Sequence, residues 1–66
     1  MTKLEAARRE RKLTQAALGK KARVAQPDVS AIERRRVQPW PEHAKRLARV
    51  LGLSPDELTD EVASAA

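Results

Sequence analysis

The sequence predicts an all-α domain of five short helices, and three observations carry that expectation. The chain has 66 residues with no Cys, Tyr or Phe and a single Trp, so its core must be built from Leu, Ile, Val and Ala. A helical bundle suits that inventory better than a sandwich, which draws on β-branched and aromatic residues. Apolar residues recur three and four apart throughout, the spacing of one helix face. Short polar caps and prolines stand where such helices would begin.

The first helix is expected over about Thr2–Lys12, a stretch of good helix formers that sets Leu4, Ala7, Arg8 and Arg11 on one stripe. Leu13 packs inward and Thr14 caps the second helix, Gln15 to about Lys21, with Leu18 and Ala22 facing the core. Arg23-Val24-Ala25 forms the turn, with Val24 as its buried plug. The third helix starts near Gln26, places Pro27 in its first turn where a missing N–H does no harm, and turns Val29 and Ile32 inward. Arg34 to Pro39 is a basic connector without periodicity. The fourth helix runs from Pro41 to Leu51 with Ala44, Leu47, Ala48 and Leu51 buried and Gly52 past its end. A capping box of Ser54, Pro55 and Glu57 opens the fifth helix, anchored by Leu58 with Val62 as a second contact. One domain over residues 1–62 is expected, with 63–66 as a frayed tail.

Charge is unevenly spread. Residues 1–36 carry eleven Lys/Arg against four Asp/Glu, and residues 37–66 carry three against five, so a +7 half adjoins a −2 half. A basic half of that kind suits a polyanion, although a solvated surface would look the same by composition. No stretch approaches the roughly 18 apolar residues of a membrane span, and there is no signal-peptide core, which points to the cytoplasm. An enzyme is not expected: the chain lacks a cysteine, a His-carboxylate arrangement, a glycine-rich phosphate loop and the length for a concave pocket. Nor is a metal or cofactor, since His43 stands alone.

Thr14 to Glu33 is the informative segment. Two helices of about eight residues joined by a three-residue turn expose the second one only if they cross steeply. Gly19 supplies the small residue for their close approach, with Leu18, Val24, Val29 and Ile32 packed behind. Together with Leu13-Thr14-Gln15, Ile32-Glu33-Arg34, Pro39, Leu47-Ala48 and Leu51-Gly52-Leu53, this set resembles the lambda-repressor-like family, the Cro/cI or xenobiotic-response-element type of helix-turn-helix, from about Leu4 to Leu58.

The resemblance implies a double-stranded DNA-binding transcriptional regulator, a repressor acting as a homodimer, that places its third helix in the major groove. By position it implies base reading by Gln26, Pro27, Asp28, Ser30 and Ala31, and phosphate contacts from Gln15, Arg34, Arg35 and Arg36. It also implies an internal salt bridge between Arg8 and Glu33. A Gln at the first of these reading positions can bond bidentately to adenine, whereas Asp28 suits either cytosine N4 or the free N–H groups of its own helix. An antitoxin-like module that binds a partner protein, a toxin or another regulator, is the alternative reading.

Departures from the family pattern carry expectations of their own. Arg23 and Arg35 stand where the family commonly has glycine at positive φ, at a cost of about 1–2 kcal/mol if that conformation is kept. Ala25 replaces the usual Ser or Thr cap, with Asp28 as the compensating acceptor. Trp40 replaces a small polar cap, either covering the end of the third helix or meeting a dimer partner.

Overall fold

The computed structural model describes residues 1–62; the tail at 63–66 lies outside them. Four α-helices follow one another among the described residues: α1 Lys3–Glu10, α2 Gln15–Ala22, α3 Gln26–Glu33 and α4 Pro41–Leu51. Thr2 and Thr14 cap α1 and α2, their hydroxyls accepting from the amides of Glu5 at 3.1 Å and Ala17 at 3.0 Å. The core is the aliphatic set that the periodicity marks: Leu4, Leu18, Ala22, Val24, Val29, Ile32, Ala44, Leu47, Ala48, Leu51 and Leu58 are all buried, and Leu13 packs against them. No helix among the described residues is long and apolar enough to cross a membrane.

One closure ends every helix. The amides of Leu13, Val24, Arg36 and Leu53 each donate to the carbonyl five residues back, those of Arg8, Gly19, Ala31 and Ala48. The residue before each donor is left-handed: Lys12, Arg23 and Arg35 at φ 58° and Gly52 at φ 70°. This is the Schellman closure, in which glycine is the usual residue because a Cβ is strained there. Only Gly52 follows that rule. At the other three ends a cation sits beside the negative end of the helix dipole, which returns about 0.3–1 kcal/mol of the strain. Arg23 and Arg35 thus keep the turn geometry usual for glycine, and Lys12 is a third such position that carries no glycine-like signal in the sequence. Replacing Arg23 by glycine is expected to raise stability by about 1 kcal/mol, and by alanine to leave it unchanged or lower, as read from urea denaturation.

The expected fifth helix is a single 3₁₀ turn, Pro55–Glu57. Its opening is as anticipated in one respect: the Glu57 carboxylate accepts from the Ser54 amide at 2.7 Å. The backbone then leaves the helical path because it has other partners. The first two amides of α1, which no helical carbonyl can reach, donate to this segment: Lys3 N–H to the Asp60 carbonyl at 2.9 Å and Leu4 N–H to the Leu58 carbonyl at 3.0 Å. Thr2 and Glu61 form an antiparallel bridge beside them. The terminal segment therefore seals the start of α1, with Leu58 as its buried anchor. Two carboxylates stitch it down. Glu57, hydrogen-bonded by the Ser54 amide and the Lys3 ammonium, is held below the usual carboxylate range. Glu61 is lowered likewise, by the amino terminus first and then by Arg35.

Candidate nucleic-acid interface

α2, the turn 23–25 and α3 form one unit. α2 packs against both α3 and α4, which have little direct contact with each other. At the crossing, Gly19 is fully enclosed by the turn: a Cβ there would run into the Val24 carbonyl oxygen and lie 3.5 Å from the Gln26 amide nitrogen. Val24, buried beneath, plugs the angle.

A chain of polar side chains links α1 to the exposed starts of α2 and α3. The Arg8 guanidinium meets the Glu33 carboxylate through two hydrogen bonds, Nε to Oε2 at 2.6 Å and Nη2 to Oε1 at 3.2 Å. It also donates to the Leu13 carbonyl at 2.7 Å. Both side chains are nearly enclosed, Arg8 at 11% and Glu33 at 4% exposure. Glu33 Oε1 accepts a further bond from Gln15 Nε2 at 2.9 Å, and Gln15 Oε1 accepts from Gln26 Nε2 at 3.3 Å. A buried charge pair is stable only when further hydrogen bonds support it, and here every buried side-chain nitrogen and oxygen among the described residues has a partner. The consequence is geometric: the side-chain amides of Gln15 and Gln26, at the first positions of α2 and α3, are held in register with each other by a rigid anchor.

The outer surface of α3 begins with Gln26, Pro27 and Asp28, all exposed, and continues with the half-buried Ser30 and Ala31. α3 has no side-chain cap, and among the described residues the Asp28 carboxylate bonds none of its first-turn amides. The expectation that Asp28 compensates for the missing cap at Ala25 is therefore corrected. The carboxylate points to solvent beside a groove shared with Ile32, Val37, Trp40 and His43.

Beyond α3 the three arginines part company. Arg34 and Arg36 are exposed, with no carboxylate within ion-pair distance among the described residues. Arg35 turns to the terminal segment, donating to the Thr59 carbonyl at 3.1 Å and to Glu61 at 2.7 Å. Trp40 is 74% exposed, so it does not cover the end of α3. The prolines on either side hold its backbone extended at the start of α4, and that directs the ring outward. Arg46 carries a role with no sequence signal. Its guanidinium donates to the Ala22 carbonyl at 2.7 Å and the Arg23 carbonyl at 3.1 Å, satisfying the open end of α2 from α4.

An exposed helix start held at a fixed angle, with free arginines at its far end, is the arrangement of a major-groove reading unit. The family model described as Helix-turn-helix, the Cro/cI-like type, matches residues 4–58. The chain belongs to that family. No curated protein and no solved structure matches it. As a Cro/cI-like helix-turn-helix it falls among DNA-binding transcription regulators, a class whose members are typically not enzymes. In helix-turn-helix proteins generally, the second helix of the pair lies in the major groove and the first crosses the backbone.

Proposed function

We propose that this helix-turn-helix chain is a sequence-specific repressor that binds double-stranded DNA as a homodimer. The observation that carries the reading is the anchored pair Gln15–Gln26, fastened through Glu33 to Arg8. It presents one amide to the phosphate beside the groove and one to a base edge inside it. Gln26 is assigned bidentate bonding to adenine, and Ser30 a base edge or phosphate. Pro27 and Ala31 offer apolar contact to thymine methyl groups, and Asp28 accepts from cytosine N4. Arg34 and Arg36, with Gln15, are the phosphate contacts; Arg35 joins them only by releasing Glu61.

Dimerisation is assigned to the surface around Trp40. Trp40 and Val37, two exposed large hydrophobic residues, line the same groove beside α3. A lone aromatic at the centre of a small contact is the kind of residue that anchors an interface. A two-fold axis there would set the two copies of α3 on half-sites about 34 Å apart.

Selection from random duplex DNA at two salt concentrations tests the proposal. The expected product is a palindrome with half-sites one helical turn apart, bound with affinity that falls steeply as salt rises. Gln26→Ala is expected to cost about 1–3 kcal/mol at its own base pair and to relax the preference there. Arg34→Ala or Arg36→Ala should weaken all sequences alike and reduce the salt slope by about one. Binding without a recoverable motif, or a uniform loss for Gln26→Ala, would remove sequence-specific regulation from the reading.

A further inference from the structure

A second concentration of charge lies away from the start of α3. Lys21 and Arg23, at the end of α2, and Arg46 and Arg49, on α4, converge on a crevice of about 350 Å³ with the half-buried Val50 beside them. No carboxylate lines it, and none of the ion pairs among the described residues reaches these four cations. Lys3, Arg8, Arg9, Arg35 and Lys45 each have an acidic partner, whereas these four, like Arg34 and Arg36 beside α3, have none among the described residues. Arg46 is turned onto the carbonyls of Ala22 and Arg23, which fixes its stem against the wall and leaves Lys21, Arg23 and Arg49 as an open rim.

The position separates this rim from the reading face. Lys21 follows Gln15 by six residues, so at about 100° per residue it points some 120° away around α2. α4, the other wall, packs against α2 and has little direct contact with α3. A duplex seated on the starts of α2 and α3 would meet Gln15 rather than Lys21.

We propose that the crevice docks an acidic segment of a protein partner, its Asp or Glu side chains paired with Arg23, Arg49 and Lys21 and their aliphatic stems laid on Val50. Arginine forks bind carboxylates through two parallel bonds, and no carboxylate of the described residues lines the crevice to occupy them. The inference stands independently of the DNA reading.

The test is a pair of NMR titrations of the ¹⁵N-labelled chain, one with an octaglutamate peptide and one with duplex DNA, repeated on two double variants of equal charge loss. Lys21→Ala with Arg49→Ala removes half of the crevice's cations at exposed helical positions, where alanine is a good helix former. Arg34→Ala with Arg36→Ala removes the same charge beside α3. The peptide should shift the amides of Lys21, Arg23, Arg46, Arg49 and Val50. The first double variant should weaken the peptide about tenfold, the equivalent of losing one or two charge-assisted bonds, and the second by less than about twofold. DNA should show the reverse ranking. The proposal is overturned if the peptide does not bind, if both variants weaken it equally, or if its shifts centre on Arg34 and Arg36. A loss of DNA affinity in the Lys21/Arg49 variant as large as in the Arg34/Arg36 variant would instead make the crevice part of the DNA surface. Failure of DNA to bind at all would defeat the proposed function and leave this docking site standing.

Discussion

Replacing Glu33 by alanine is expected to leave most of the chain unfolded at 25 °C. The carboxylate is 4% exposed and accepts from Arg8 twice and from Gln15 once. Its removal strands a guanidinium that is itself 11% exposed, with only the Leu13 carbonyl left to it. Breaking a buried pair from one side costs about 3–5 kcal/mol, because the remaining charge is neither paired nor hydrated. A chain of 66 residues without disulfides has about that much stability in total. Far-UV circular dichroism and urea denaturation would show the loss directly. The double variant Arg8→Met/Glu33→Leu makes the physical claim sharper. Apolar side chains of similar volume need no partner, so the double variant should fold and be more stable than either single one. A Glu33→Ala protein within about 1 kcal/mol of the parent would show that water reaches the pair and that it behaves as a surface bridge.

Residues whose placement depends on local periodicity are legible in the sequence alone. Leu4, Leu18, Val29, Ile32, Leu47 and Leu51 recur at helical spacing, and each is buried. The Thr14 cap and the glycine end of α4 are readable for the same reason, since each acts on amides or carbonyls within a few residues of itself; Thr2, expected as the first helical residue, is instead the cap of α1. What the sequence hides is tertiary. The left-handed Lys12 has no glycine to announce it, and its strain is offset by its ammonium at the negative end of the α1 dipole. The capping box at Ser54 predicts a helix correctly for one turn, but the amides of Lys3 and Leu4 then claim the carbonyls that a longer helix would have used. Trp40 is apolar enough for a core, yet the aliphatic bundle closes without it. Arg35 and Arg36 are neighbours of identical type, and the partners that hold Arg35, the Thr59 carbonyl and Glu61, lie far along the chain. Within the candidate interface, Gln15, Gln26, Arg8 and Glu33 can each be named from the sequence, while their linkage into one hydrogen-bonded chain cannot.

Gly19→Val is the second large effect expected, and it reaches both stability and the placement of α3. The missing side chain at Gly19 is what lets the turn carbonyl of Val24 lie against α2. That carbonyl is backbone, so it cannot swing aside as the tip of a long side chain would. Valine adds a branched Cβ at a fully buried position, and overpacking of this kind costs about 1–3 kcal/mol or more. Alanine at the same site separates the causes. Its helix propensity exceeds that of glycine by about 1 kcal/mol, which offsets only part of a clash that its Cβ makes as fully as valine's, so Gly19→Ala should also lose stability, by less than Gly19→Val, and binding is read on its folded fraction. The folded Gly19→Ala protein is then the informative one for function. Relief of its clash must move the Val24 carbonyl, and the Gln26 amide 3.5 Å from the new Cβ moves with it. If the amide pair Gln15–Gln26 reads DNA as proposed, specific binding should fall by more than the stability change explains, while salt-dependent binding through Arg34 and Arg36 persists. Equal losses in both would mean that α3 tolerates a shift in its entry, and that recognition depends on the arginines rather than on the angle that Gly19 allows.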